Sequence, residues 1–250
     1  LVDQEAGKIM GMSSYGKPNK NIPPIYVNGH INTDLFKFKG NLHTKFLDYE
    51  FKDFQHQCDF AYALQKETTH HVKEYIYKMV EKTGIKKVVL SGGFFLNCVA
   101  NYEYLRDDLD IYIEPVAGDG GTSIGVAKYI HHNETKDTTK RPLKSLYLGP
   151  DTNYQSPKGK KVTYDDVAKL IKDRKIVAIF QGCSEAGPRA LGNRSILYDP
   201  TDPNGKDYVN RVKGREWYRP FAGTILQEYQ DEYFDMKNLK ESPFMMYAVN

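Results

Sequence analysis

The chain has no apolar run approaching the roughly 20 residues that a membrane-crossing helix needs, and Leu1 to Met10 is too polar and charged for a signal peptide. Cysteine is scarce. Cys58, Cys98 and Cys183 are odd in number, far apart and never in a CxxC pair. That argues against a disulfide framework or zinc knuckle and fits a reducing, cytoplasmic setting, with each thiol read as a small buried hydrophobe. No dense Lys/Arg run occurs and the formal net charge is only +3, so no basic field argues for nucleic acid. The patterns GxxxxGK[ST], GxGxxG and HExxH are all missing, which withdraws support from the familiar nucleotide loops and the common zinc hydrolase site. What remains is an ordinary globular composition, 40% hydrophobic and 27% charged, long enough for one large domain or two small ones.

Glycine, proline and arginine are concentrated in Gln181-Gly182-Cys183-Ser184-Glu185-Ala186-Gly187-Pro188-Arg189-Ala190-Leu191-Gly192-Asn193-Arg194-Ser195, which follows the strand-like run Ile176 to Phe180. Pro188 suits a first helical position. The turn is therefore expected to open a helix whose free N–H groups, with Arg189 and Arg194, receive an anion such as phosphate. The alternative is an ordinary salt-bridged turn. Lys206, Arg211, Lys213, Arg215 and Arg219 extend the cationic cluster. Arginines near glycines favour a phosphate clamp over a solvated basic face, and the aromatics between them are too few for RNA binding.

Elsewhere the pattern alternates. Glu5 to Met12 reads as a short helix, Ser14 to Pro18 as a turn, and Asn28-Gly29 as a type I′ hairpin turn. Ala61, Leu64, Thr68, His71, Val72, Tyr75, Ile76, Met79 and Val80 predict a helix from about Phe60 to Lys82, capped by Gly84. A strand Lys86 to Leu90, a helix from Phe95 to about Arg106, a strand Asp110 to Glu114 and a helix Thr122 to His131 follow. Residues 133–161 have linker composition. Tyr164 to Arg174, with Thr163 as N-cap, predicts a helix, and Ile176 to Phe180 a strand. The class is α/β or α+β. The chain has no initiator Met and stops in an apolar, strand-like run from Pro243 to Asn250, so it reads as a piece of a longer protein.

Two glycine turns carry candidate ligand contacts. Ser91-Gly92-Gly93 follows a buried strand, where glycines let backbone approach a ligand, and Asn97 one turn inside the next helix has the chemistry to bond sugar or base. The competing reading is a tight connection. Asp119 within Gly118-Asp119-Gly120-Gly121 suits a metal carboxylate or phosphate nest, and equally an N-cap. The pairs His70-His71 and His131-His132 sit on predicted helices, where neighbours point apart, and read as structural.

In order, Gly7-Lys8-Ile9-Met10-Gly11, Tyr15-Gly16-Lys17-Pro18, Ser91-Gly92-Gly93-Phe94-Phe95-Leu96-Asn97, Pro115-Val116-Ala117-Gly118-Asp119-Gly120-Gly121, the Gly187-to-Ser195 element, and Lys213-Gly214-Arg215-Glu216 with Arg219-Pro220-Phe221 resemble the carbamoyltransferase family that includes nodulation and antibiotic O-carbamoyltransferases. The resemblance runs over nearly the whole chain and is weakest in residues 19–58 and 133–160. It implies the C-terminal part of an actin-like ATPase (Kae1-like) domain over residues 1–140, a linker over 141–160, and the start of a YrdC-like twisted α/β domain over 161–250.

The resemblance further implies that ATP and carbamoyl phosphate form carbamoyl adenylate with release of pyrophosphate, and that the carbamoyl group then passes to a substrate hydroxyl. Arg189, Arg194, Lys213 and Arg215 would serve the first step, Gly92, Gly93, Asn97, Gly120 and Gly121 would cradle nucleotide, and Asp119 would bind a divalent metal, typically iron, with Mg accompanying ATP. The implied partners are small molecules, with a homodimer compatible. The family's metal-binding histidines fall outside this chain. Ala186, Thr201 and Gly223 depart from the family's usual aromatic, arginine and proline. The alternatives are a Kae1-type tRNA threonylcarbamoyl-transfer factor, which lacks the Gly-Pro-Arg domain, and a non-catalytic nucleotide-binding module.

Overall fold

A computed structural model of the chain describes residues 6–37, 47–141, 143–151 and 158–249. The protein is mixed α/β, with three separate two-stranded sheets among helices in the described residues. Helix α1, Ala6–Ser13, leads into a hairpin of β1, Tyr26–Val27, and β2, His30–Ile31, which pair antiparallel with Val27 opposite His30. Asn28 and Gly29 both take positive φ, 51° and 78°, as the type I′ turn requires. Glu5 and Asn250, which entered the sequence reading, lie outside the described residues, as do residues 142 and 152–157 of the segment read as a linker.

Helix α2, Phe54–Thr83, starts six residues earlier than the apolar spacing predicts because Asp53 caps it, accepting from His56 N–H at 2.7 Å. It stops where expected: Gly84, at φ 68°, returns its N–H to Val80 O. Its buried face differs from the predicted stripe. Tyr75 and Met79 are exposed, whereas His56, Asp59, Gln65 and Thr69 are buried. That face packs on α1 and on α3, Cys98–Tyr104.

Strands β3, Lys87–Leu90, and β4, Asp110–Ile113, pair in parallel, Lys87 opposite Asp110 and Leu90 opposite Ile113, with α3 as the crossover. One core gathers Ile76, Leu90, Ala100, Tyr104, Ile113 and Met246, and a second gathers Ile22, Ile25, Leu35, Phe36 and Phe60. Helix α4, Thr122–Thr135, runs on from the loop after β4.

In the second half, α5, Tyr164–Lys172, begins with a reciprocal capping box between Thr163 and Asp166. Strands β5, Val177–Ala178, and β6, Ile196–Leu197, are antiparallel, and the ladder continues through Ile179 N to Ser195 O at 2.8 Å and Gln181 N to Asn193 O at 3.1 Å. The segment of linker composition is paired as well: Gly149 donates to Ser184 O, Ser184 to Pro150 O and Ala186 to Leu146 O. Helix α6, Gly205–Val212, follows.

The two halves meet at α1 and α3. Lys8 Nζ pairs with Glu216 at 2.8 Å, and Lys206 Nζ donates to Tyr15 OH at 2.7 Å. Ala248 N–H reaches Cys98 O, and Asn101 Nδ2 reaches Met246 O. Residues 243–249 form no strand. They lie against α3, their backbone bonded to it rather than to a ladder.

Candidate functional site

The loops after β3 and β4 leave the sheet at the same, C-terminal end, where open α/β sheets place their ligands. They are tied together by Gly92 N–H to Ala117 O at 2.9 Å. Gly92 has φ 111° and ψ 152°, a conformation only glycine adopts readily. A Cβ on Gly92 or Gly93 would meet nothing within 4 Å, so the first loop presents bare backbone to open space. In the second loop a Cβ on Gly121 would lie 2.3 Å from Val116 O, so that glycine is demanded by close packing.

The first loop differs from the continuous helix predicted from Phe95. Gly93–Leu96 is one 3-10 turn, and α3 starts only at Cys98. The break arises because Asn97 is an N-cap, its Oδ1 accepting from Ala100 N–H at 3.1 Å. The same amide is clamped by Gln65 of α2: Asn97 Nδ2 donates to Gln65 Oε1 at 2.9 Å, and Gln65 Nε2 donates to Asn97 Oδ1 at 3.3 Å and to Thr69 Oγ1 at 3.1 Å. Asn97 thus fixes the loop with most of its side-chain hydrogen-bonding capacity.

Helix α2 anchors two other motifs in the same manner. Asp59, only 3% exposed, accepts from Lys17 N–H, Asn19 Nδ2 and Gln55 Nε2 at 2.9–3.0 Å. Burial alone would raise this carboxyl, but the hydrogen bonds prevail and hold it below the usual range. Glu67 Oε2 accepts both Ile25 and Tyr26 N–H. Gln65, Asp59 and Glu67 escaped the sequence reading. The only signal is polar residues at buried helical positions, visible once the face is known.

The Gly187-Pro188-Arg189 turn opens no helix, contrary to expectation. Gly187 and Gly192 take φ 96° and 112°, outside helical space. The N–H groups expected to await an anion are bonded internally. Leu191 and Asn193 N–H both donate to Glu185 Oε1, at 2.6 and 2.9 Å, and Gly192 N–H donates to Ser195 Oγ at 3.0 Å. The loop instead reaches across to the first half. A Cβ on Gly187 would stand 3.3 Å from Val116, and Arg189 Nη2 donates to Leu96 O at 2.9 Å. Arg189 Nε is buried and has no hydrogen-bond partner among the described residues. Burial pushes the neighbouring Cys98 thiol up, against the opposing pull of the Arg189 charge.

The structure therefore gathers Gly92, Gly93, Asn97, Asp119, Gly120, Gly121 and Arg189 around the strand ends. Arg194 and Arg215 have local work instead. Arg194 donates from Nη1 to Gln181 O and Asn193 O and lies 3.8 Å over the Phe180 ring, bracing the base of its loop. Arg215 bonds Asn210 Oδ1 and Pro220 O beneath Phe221. Lys213 is exposed at the C-terminus of α6.

Asp119 is exposed at the start of a 3-10 turn, Asp119–Gly121. Among the described residues no group of three or more His, Cys, Asp or Glu side chains is placed to hold a metal ion. One carboxylate supplies at most two oxygens of a coordination shell, so these residues do not by themselves fit a metal centre. No helix among the described residues is long and apolar enough to cross a membrane.

Two family models match the chain: one described as the carbamoyltransferase N-terminus over residues 2–128, the other as the carbamoyltransferase C-terminus over residues 168–250. The chain is 32% identical to nodulation protein NolNO of Sinorhizobium fredii, over 97% of its own length and 39% of that protein. It is 31% identical to an uncharacterised protein of Methanocaldococcus jannaschii, over 93% of the chain and 43% of that protein. It is 30% identical to nodulation protein NolO of Bradyrhizobium diazoefficiens, over 97% of the chain and 49% of that protein. The chain thus spans less than half the length of each of these relatives.

Proposed function

The chain belongs to the carbamoyltransferase family, and from that premise we propose that it serves ATP-dependent O-carbamoyl transfer. In this reading the first half is part of an actin-like domain and the second the start of a YrdC-like domain. Carbamoyl phosphate, ATP and water give carbamoyl adenylate, pyrophosphate and phosphate. Attack by an acceptor hydroxyl then gives the carbamate ester and AMP, the hydroxyl proton leaving to solvent or base.

The observation that carries the proposal is Arg189. It crosses from the second half to the strand-end loops, and its Nε–H, without a hydrogen-bond partner among the described residues, lies beside a guanidinium nitrogen already anchored on Leu96 O. An unbonded buried donor is costly, and a guanidinium edge matches two oxygens of a phosphate or carboxylate. In the loop that Arg189 bonds through Leu96, the exposed Gly92-Gly93 backbone lets a phosphate-bearing nucleotide approach without meeting a Cβ. The arginine then offsets negative charge in the adenylation step.

The test is pyrophosphate release by this chain supplied with ATP, magnesium and carbamoyl phosphate. Release that requires carbamoyl phosphate, and falls about a hundredfold in Arg189→Ala, is the expected result. A folded chain that binds nucleotide but releases no pyrophosphate overturns the adenylation step and leaves a nucleotide-binding module.

A further inference from the structure

We infer that Glu185 is the positioning residue for Arg189. The inference rests on the anion-site reading of Arg189 given above.

Between Glu185 and Leu191 lie the five residues that carry Gly187-Pro188-Arg189 across to the first half. One carboxylate oxygen closes this loop at its base, accepting Leu191 and Asn193 N–H together at 2.6 and 2.9 Å. Two N–H groups converging on one anionic oxygen make a nest, and in this protein the anion is the chain's own. Neighbouring contacts hold the base from other sides: Asn193 Nδ2 donates to Cys183 O at 2.8 Å, and Tyr147 OH to Leu191 O at 2.5 Å. Ala186 N–H donates to Leu146 O at 2.7 Å.

Two consequences follow for the site. The nest cannot serve a phosphate while Glu185 fills it, so anion recognition by this loop falls to the Arg189 guanidinium. Because Glu185 fixes both ends of the loop, it also fixes where that guanidinium stands against Leu96. Misplacement by about 1 Å is enough to cost two orders of magnitude in a preorganised site. Glu185 is not itself proposed to touch substrate.

The experiment uses the chain labelled with 15N-arginine. The Arg189 Nε–H resonance is assigned by its loss in Arg189→Ala. Glu185→Ala, and Glu185→Asp in case the alanine variant fails to fold, should shift or broaden that resonance. Glu185→Gln, which keeps an acceptor oxygen at the same reach, should restore it. In the pyrophosphate assay the alanine variant should raise the KM for carbamoyl phosphate about tenfold or more, and Glu185→Ala combined with Arg189→Ala should be no worse than Arg189→Ala alone. An Arg189 resonance indifferent to every Glu185 variant overturns the inference, as does a double variant whose losses multiply. If the unaltered chain releases no pyrophosphate yet the resonance responds as expected, the positioning role stands and the adenylation reading falls.

Discussion

Gly121→Ala and Gly120→Ala form a matched pair in which a single methyl separates a steric requirement from mere composition. At Gly121 the backbone is ordinary, φ −77° and ψ −15°, so alanine carries no conformational penalty. The new Cβ would nevertheless stand 2.3 Å from Val116 O, about 1 Å inside ordinary contact, against backbone that cannot rotate away. At Gly120 the nearest atom to a new Cβ is Val116 Cγ1 at 3.7 Å, which is normal packing. Overpacking of the first kind costs about 1–3 kcal/mol. It is relieved only by moving the loop off Val116, the residue that also packs against Gly187. Loss of about 1.4 kcal/mol from the bound geometry is tenfold in affinity. Titration of a fluorescent ATP analogue, with Trp217 as the chain's one tryptophan donor, should show affinity reduced about tenfold or more in Gly121→Ala, and Gly120→Ala close to the unaltered chain. Equal affinities for all three proteins would refute the claim that the packed second loop shapes the nucleotide cradle. Equal losses in both variants would refute the steric argument.

Asp59→Ala removes the acceptor for three donors from a site only 3% exposed and should cost about 2–4 kcal/mol in urea unfolding. Because the folded carboxyl is held low, its contribution is full above the ordinary carboxylate pKa of about 4 and is lost as pH falls through the lower folded value. The stability gap between the unaltered chain and Asp59→Asn should therefore be flat above about pH 5 and close below about pH 4. Gln65→Leu strands the Asn97 amide and should cost about 1–3 kcal/mol in the same measurement, with weaker nucleotide binding because the Gly92-to-Asn97 loop loses its clamp on α2.

What the sequence made legible was local. The Asn28-Gly29 turn, the Gly84 cap and the Thr163 N-cap each depend on residues within a few positions of one another. Their physics is complete in a short window. What stayed hidden was set by partners far along the chain. Asp59 holds Lys17 from 42 positions away, Gln65 meets Asn97 across 32, and Arg189 reaches Leu96 across 93. Nothing in the spacing of apolar residues on α2 reveals that its buried face is half polar, because burial of Asp59 and Gln65 becomes acceptable only once their distant donors and acceptors are in place.

The Gly-Pro-Arg segment shows how a correct composition leads to a wrong conformation. Glycine, proline and arginine together do suit a helix start facing an anion, and that inference gives Glu185 no role. In the folded chain Glu185 is the anion. It takes the N–H groups of Leu191 and Asn193, and with those donors occupied, a helix start would have no free amides to offer a phosphate. Positive φ at Gly187 and Gly192 lets the chain loop around the carboxylate. The tip that results extends far enough to place Arg189 on the other half of the protein. An arginine in a helical first turn would be held by its own helix. On a carboxylate-closed loop it is free to be positioned by both halves at once, and its candidate ligand sits between them only if that loop stays closed.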